Sequence, residues 1–206
     1  MGSGSQFDPS ISPSHKASDW KKVRDKLTVA DADIWNKAFD DYFMSRLHHR
    51  YFRPIQILQA ESAMKGEGFS IVAIQCTLIE FLESTVQGVN YQYKKPSAFE
   101  YKNSGKLFVS FLSRRSPFDK EFDEGLAGDF YANVRCPLLH EARTKGGWTI
   151  WAGVAGGKLV DANKKRVFRN AFQRALLAFV DGYRKDLVAD PELQKAFMRK
   201  FEVICT

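Results

Sequence analysis

The sequence is poor in the residues that build metal centres and disulfide frameworks. Only three cysteines occur in 206 residues, Cys76, Cys136 and Cys205. They form no C-x-x-C pair, and an odd, widely spaced set argues against a disulfide scaffold and for a reducing, cytoplasmic setting. Histidine is equally scarce: His15, His48, His49 and His140 are the four present. Without a second Cys/His cluster a zinc site has no ligand set, so no metal and no cofactor is expected. No stretch of about 18 uninterrupted apolar residues occurs, which argues against a membrane span. The N-terminus has no apolar core of a signal peptide. It carries Gly2, Ser3, Gly4 and Ser5, then Pro9, Ser10, Ser12, Pro13 and Ser14. Residues 1–16 therefore read as a flexible tail or cloning scar, and 17–206 as a single domain.

What is present is apolar bulk and positive charge. The chain is 44% hydrophobic and 14% aromatic, enough for one sizeable core. Its net charge is +7, and from Lys158 onward eleven Lys/Arg face six Asp/Glu. A basic surplus suits a polyanionic partner but is equally ordinary for a solvated surface.

Helical periodicity dominates the pattern. Trp20, Val23 and Leu27 open it, and Ile34, Trp35, Ala38, Phe39, Tyr42, Phe43 and Leu47 form a stronger stripe. Pro54 is expected to interrupt, with a short helix resuming at Ile55. The run 69–86 is apolar on nearly every side and predicts a central helix packed all round. Its only charges, Glu80 and Glu83, are expected at one wet edge unless Glu80 faces a cleft, where a carboxylate must be paired. Residues 88–118 read mostly as loop, with a short helix feasible over Leu107–Leu112. Glycine pairs around Trp148, Ile150 and Val154 suggest a small hairpin or ordered loop. Residues 164–188 place Val167, Phe168, Phe172, Leu176, Phe179 and Tyr183 on one helical face, and Asp190 with Pro191 opens a last helix. The expected architecture is all-α: five or six helices in a bundle, with at most one hairpin.

Chemistry concentrates between Tyr131 and Trp148. There Arg135, Cys136, Pro137, Leu138, Leu139 and His140 run consecutively. An arginine offers a planar fork matched to phosphate oxygens, and histidine is the residue type that exchanges a proton near neutrality. Pro137 disfavours helical geometry at Cys136, and a kink there would let the two side chains converge. On an ideal helix, residues five apart diverge by about 140°.

This segment resembles the signature of the HEPN superfamily, an Arg and a His separated by four to six residues, with Pro137 in the familiar place. The spacing alone arises readily by chance. The resemblance rests on context over about residues 20–190: a very apolar helix before the motif, a Gly-rich turn and a long amphipathic helix after it. Cys136 departs from the polar residue that commonly follows the Arg. The resemblance implies a HEPN-like bundle and a metal-independent endoribonuclease, in which His140 moves protons and Arg135 stabilises charge on the phosphoryl oxygens. It implies RNA as partner, a homodimer with facing motifs, and a toxin or antiphage-defence role under a cognate antitoxin or regulatory protein. Noncatalytic HEPN-like modules that bind a nucleotide, a nucleic acid or a protein are the alternative.

Around the pair, Glu80, Asn133, Cys136 and Glu141 are the supporting candidates, and Arg143, Lys145, Trp148 and Trp151 the RNA-binding ones. Each has a plainer reading. Arg135 could be an ion-pair partner of Asp129 or Glu141, and Trp148 could pack a hairpin onto the bundle. The cluster of Arg46, His48, His49, Arg50 and Arg53 reads chiefly as a solvated helix end.

Overall fold

The most apolar segment of the chain becomes its axis. Helix α5 (Glu67–Gln87) starts after Gly66, which takes the left-handed conformation at φ 87°, and ends at Gly88, left-handed at φ 62°. Glycine is required at position 88: a Cβ there would fall 2.6 Å from the Ala196 backbone. By length and composition α5 could cross a membrane, but here it is mostly covered. The helices packed on it are α4 (Arg53–Ala60), α6 (Ser104–Arg114), α9 (Arg169–Ala189) and α10 (Pro191–Ile204). These coordinates are a computed structural model that describes residues 7–27, 31–61, 65–153 and 156–206. Residues 1–6 of the expected tail and Val154 of the expected hairpin lie outside them.

Over the described residues the fold is an all-α bundle of seven helical rods, against the five or six expected. Neither of the two prolines expected to interrupt, Pro54 and Pro137, ends its helix. Helices α2 (Ala32–Ala38), α3 (Ser45–Leu47) and α4 join through π-helical turns at Phe39–Met44 and His48–Phe52 into one rod over 32–60. The same device joins α7 (Glu124–Phe130) to α8 (Cys136–Glu141) through a π-turn at Tyr131–Arg135. A proline ring inside a helix clashes with the carbonyl four residues back and supplies no N–H. Just before each proline the N–H donates five residues back instead: Arg53 to the His48 carbonyl, and Cys136 to the Tyr131 carbonyl. The wider turn accommodates the ring. Cys136 accordingly stays helical at φ −65° and ψ −50°, and the expected kink does not occur.

α6 lies within the segment expected to be mostly loop; Asn103 caps it, its side chain accepting from the Lys106 N–H. Asp190 caps α10 as the sequence predicts, accepting from the Glu192 and Leu193 N–H groups. α9 begins later than expected because Val167 and Phe168 belong to a strand.

Short strands fill the margins. β1 (Ser10–Ser12) and β2 (His15–Lys16) pair antiparallel, ahead of α1 (Ala17–Arg24). Ile11 is buried, and Arg46 and Arg50 donate to the Ile11 and Ser10 carbonyls. Residues 10–16 thus belong to the fold rather than to a tail, and two arginines of the basic cluster hold them there. β3 (Asn90–Tyr91) and β4 (Glu100–Tyr101) pair in parallel beside α5. After the motif, β5 (Thr149–Trp151), β6 (Val160–Asp161) and β7 (Arg166–Phe168) form a three-stranded sheet in the order β5-β7-β6. Its hairpin is β6–β7, and β5 joins β7 in parallel.

Candidate active site

Arg135 sits at the end of the π-turn and points inward to α5. Its Nη2 donates to Glu80 Oε2 at 3.2 Å, while the Tyr101 hydroxyl donates to Glu80 Oε1 at 3.0 Å. Tyr131, one turn back, lays its ring under the guanidinium at 5.4 Å, and its hydroxyl meets Ser104 Oγ at 3.1 Å. The Arg135 and Glu80 side chains are 15% and 19% exposed, so the pair borders the interior without being sealed in it. Arg135 Nε has no hydrogen-bond partner among the described residues. The partner of Arg135 is therefore Glu80, not Asp129 or Glu141.

Of the two acids expected at one wet edge, Glu80 is only partly exposed and Glu83 is not exposed at all. Glu83 is fully buried and accepts from Arg115 Nε and Nη2, Ser110 Oγ and Gln87 Nε2. Such saturation is what keeps a buried carboxylate affordable. A second cation lies near Glu80: Lys200 donates to the Val89 carbonyl at 3.0 Å, and burial lowers its pKa to about 8. Burial, then the Glu80 charge, pushes the Tyr101 phenol up, so it remains a donor.

His140 lies on the exposed last turn of α8. Among the described residues its side chain has no hydrogen bond, ion pair or ring contact. Leu139 beside it is 42% exposed. The structure thus brings Arg135 to Glu80 but does not bring it to His140 within one chain. Cys136 is partly exposed, and Cys76, buried on α5, has its thiol pushed up to about 12 by burial.

Glu141 is taken by its neighbours, accepting from Lys145 Nζ and from Arg143 Nη2 at 2.7 Å. The Lys145 contact, then Arg143, holds its carboxyl below the usual range. Arg143 and Lys145 are to that extent neutralised locally.

Asn133 and Trp148 are structural. With Pro137 lacking an N–H, the Asn133 carbonyl instead accepts the Lys145 N–H at 2.8 Å, which folds the loop after α8 back onto the rod. Gly146, at φ 57°, permits the close approach, since a Cβ there would lie 2.8 Å from Asn133 Cγ. The Asn133 side chain donates to Asp129, which also receives Lys165 Nζ and Trp148 Nε1. Those contacts, Lys165 foremost, hold the Asp129 carboxyl below its usual range. Trp148 is 2% exposed and meets Phe130 edge-on, so it packs the sheet onto the bundle and offers no face to a base. Trp151 is 42% exposed with the Arg166 guanidinium 4.0 Å over its ring, an accessible aromatic–cation pair.

No family model matches the chain, and no curated protein or solved structure matches it.

Sequence reasoning missed Tyr131 and Tyr101. Tyr131 was legible, lying at helical i, i+4 spacing from Arg135. Tyr101 comes from a separate strand and has no local signal. Among the described residues no group of three or more His, Cys, Asp or Glu is placed to hold a metal ion.

Proposed function

We propose that the chain is a HEPN-type endoribonuclease that cleaves RNA without a metal. The observation carrying this reading is an oriented guanidinium and an unpartnered, exposed imidazole on one rod: Arg135 braced by Glu80 and Tyr131, and His140 about one and a half turns on. In the reaction the ribose 2′-OH attacks its adjacent phosphorus. A 2′-O–P bond forms and the P–O5′ bond breaks, leaving a 2′,3′-cyclic phosphate and a 5′-OH. His140 moves a proton at the 2′- or 5′-oxygen, and Arg135 donates to the non-bridging oxygens. DNA lacks the nucleophile and is spared. Because the two side chains diverge on one rod, the site is composite: two copies meet at α8, with Leu139 as apolar contact, and Arg135 of one faces His140 of the other. A toxin or antiphage-defence role with a cognate regulator follows from the same resemblance.

A second reading has its own support. Arg135 is largely covered and committed to Glu80, which suits a noncatalytic HEPN-like module that binds a nucleotide, a nucleic acid or a protein.

One assay separates them. Wild type, Arg135→Ala and His140→Ala are incubated with total RNA in EDTA, and cyclic-phosphate ends are counted. Cleavage by wild type, reduced at least about 100-fold in both variants, is the expected result. Equal cleavage by all three, or none by any, overturns the enzyme reading, and the second outcome favours the binding module.

A further inference from the structure

We propose that the N-terminal end of α5, together with Arg169, is a binding site for a small tetrahedral oxyanion: phosphate, or the terminal group of a phosphomonoester. A cavity of about 230 Å³ opens there, its lining including Gly66, Glu67, Gly68, Ile150, Ala152 and Arg169. Three features converge on it. α5 is 21 residues long, and its N-cap Gly66 makes no side-chain cap; of the first-turn N–H groups, Phe69 donates to the Gly66 carbonyl at 3.1 Å. Arg169 is buried, its side chain 9% exposed, and its Nε and Nη1 have no hydrogen-bond partner among the described residues. Gly68 lets the sheet pack against that first turn: a Cβ there would fall 3.2 Å from Ile150 Cγ2, a tight approach, and 3.6 Å from Arg169 Nη1, an ordinary contact.

Among the described residues the one acceptor on the guanidinium is Glu67, whose Oε1 takes Nη2 at 2.8 Å. A structural ion pair alone leaves the arrangement unexplained. A single carboxylate contact satisfies one nitrogen of a fork that carries five N–H donors, and buried donors are rarely left orphaned. A tetrahedral anion supplies what is missing, because its oxygens can bridge the guanidinium and the helix N–H groups together. Glu67 is 23% exposed, at the rim of the cavity, and acts as the placeholder that swings out when the anion enters. At about 230 Å³ the cavity has room for a phosphoryl group and for part of whatever it is attached to. The site lies about 18 Å along α5 from Glu80, twelve residues at the helical rise, and does not depend on the nuclease reading.

The test is calorimetric titration of the full chain with inorganic phosphate and with a nucleoside 5′-monophosphate, for wild type and Glu67→Gln, Gly68→Ala and Arg169→Lys. Saturable binding by wild type is expected. Glu67→Gln should bind several-fold more tightly, because its competing charge is gone. Arg169→Lys should bind roughly ten-fold or more weakly through loss of the planar fork. Gly68→Ala keeps the arginine and crowds the cavity, so it should also weaken binding. Equal affinity for both ligands identifies the free anion, and tighter binding of the monophosphate identifies a phosphomonoester. No binding by wild type and Glu67→Gln, or binding that ignores both Gly68→Ala and Arg169→Lys, overturns the proposal. Thermal melts of each variant separate lost binding from lost folding.

Discussion

Glu80 and Glu83 stand one turn apart on α5, and each meets an arginine from a distant segment, yet the two pairs are built differently. Glu83 is wholly buried, and its four donors leave it no spare capacity. Glu80 is partly exposed and takes Arg135 and the Tyr101 hydroxyl, with Lys200 close enough for its charge to matter. The first arrangement locks α6 to α5. The second orients a guanidinium and still leaves one of its nitrogens, Nε, unpartnered. The same residue types serve as a rivet in one place and as a brace for a partly unpartnered guanidinium in the other. What decides is the number of donors and the access of water, not the pair itself.

The largest effect should come from breaking the rivet. Arg115→Ala leaves the Glu83 carboxylate buried without its cation and should cost on the order of 3–5 kcal/mol in urea unfolding. Arg135→Ala, at the more open pair, should cost only about 1–2 kcal/mol. Equal losses would break the comparison.

Next comes the cation near Glu80. Burial lowers the Lys200 pKa to about 8 from the ordinary 10.5, so between those values the unfolded chain binds the proton that the folded chain has released. Stability should therefore rise with pH across that window, by on the order of 2–3 kcal/mol, with the full cost present below pH 8. Lys200→Met should abolish the rise and be the more stable protein at pH 7. A wild-type unfolding curve flat from pH 8 to 10.5 would contradict it.

The smallest effect belongs to the Tyr101 hydroxyl. Tyr101→Phe removes one donor to Glu80 and should cost about 1 kcal/mol of stability. If Glu80 braces Arg135 for RNA, the same variant should lower cleavage more than it lowers the melting temperature. A drop in stability alone would leave Tyr101 a packing residue.

Much of the fold was readable because periodicity is local. The apolar run at 69–86, the stripe through Phe172, Leu176 and Phe179, and the Asp190 cap all declare their helices within one or two turns of chain. The prolines misled for the same reason. Pro54 and Pro137 signal a break in any local reading, and only the π-turns ahead of them keep the rods continuous. Of the candidate site, Arg135, His140 and the potential of Glu80 were legible. The burial of Trp148, the clamp of Asn133 on the loop after α8 and the place of Tyr101 were not, because each depends on contacts between distant segments.

The sequence by itself determined an all-α protein built around one apolar helix, since hydrophobic spacing and capping residues act over a few residues. Tertiary structure decided the rest. It turned Arg135 toward Glu80 and left His140 facing solvent, it drew residues 10–16 into the fold, and it set the buried Arg169 against the open end of α5. The physical reason is that a charged side chain takes its orientation from whichever partner can compensate its burial, and that partner is chosen by packing across the bundle, not by neighbours along the chain.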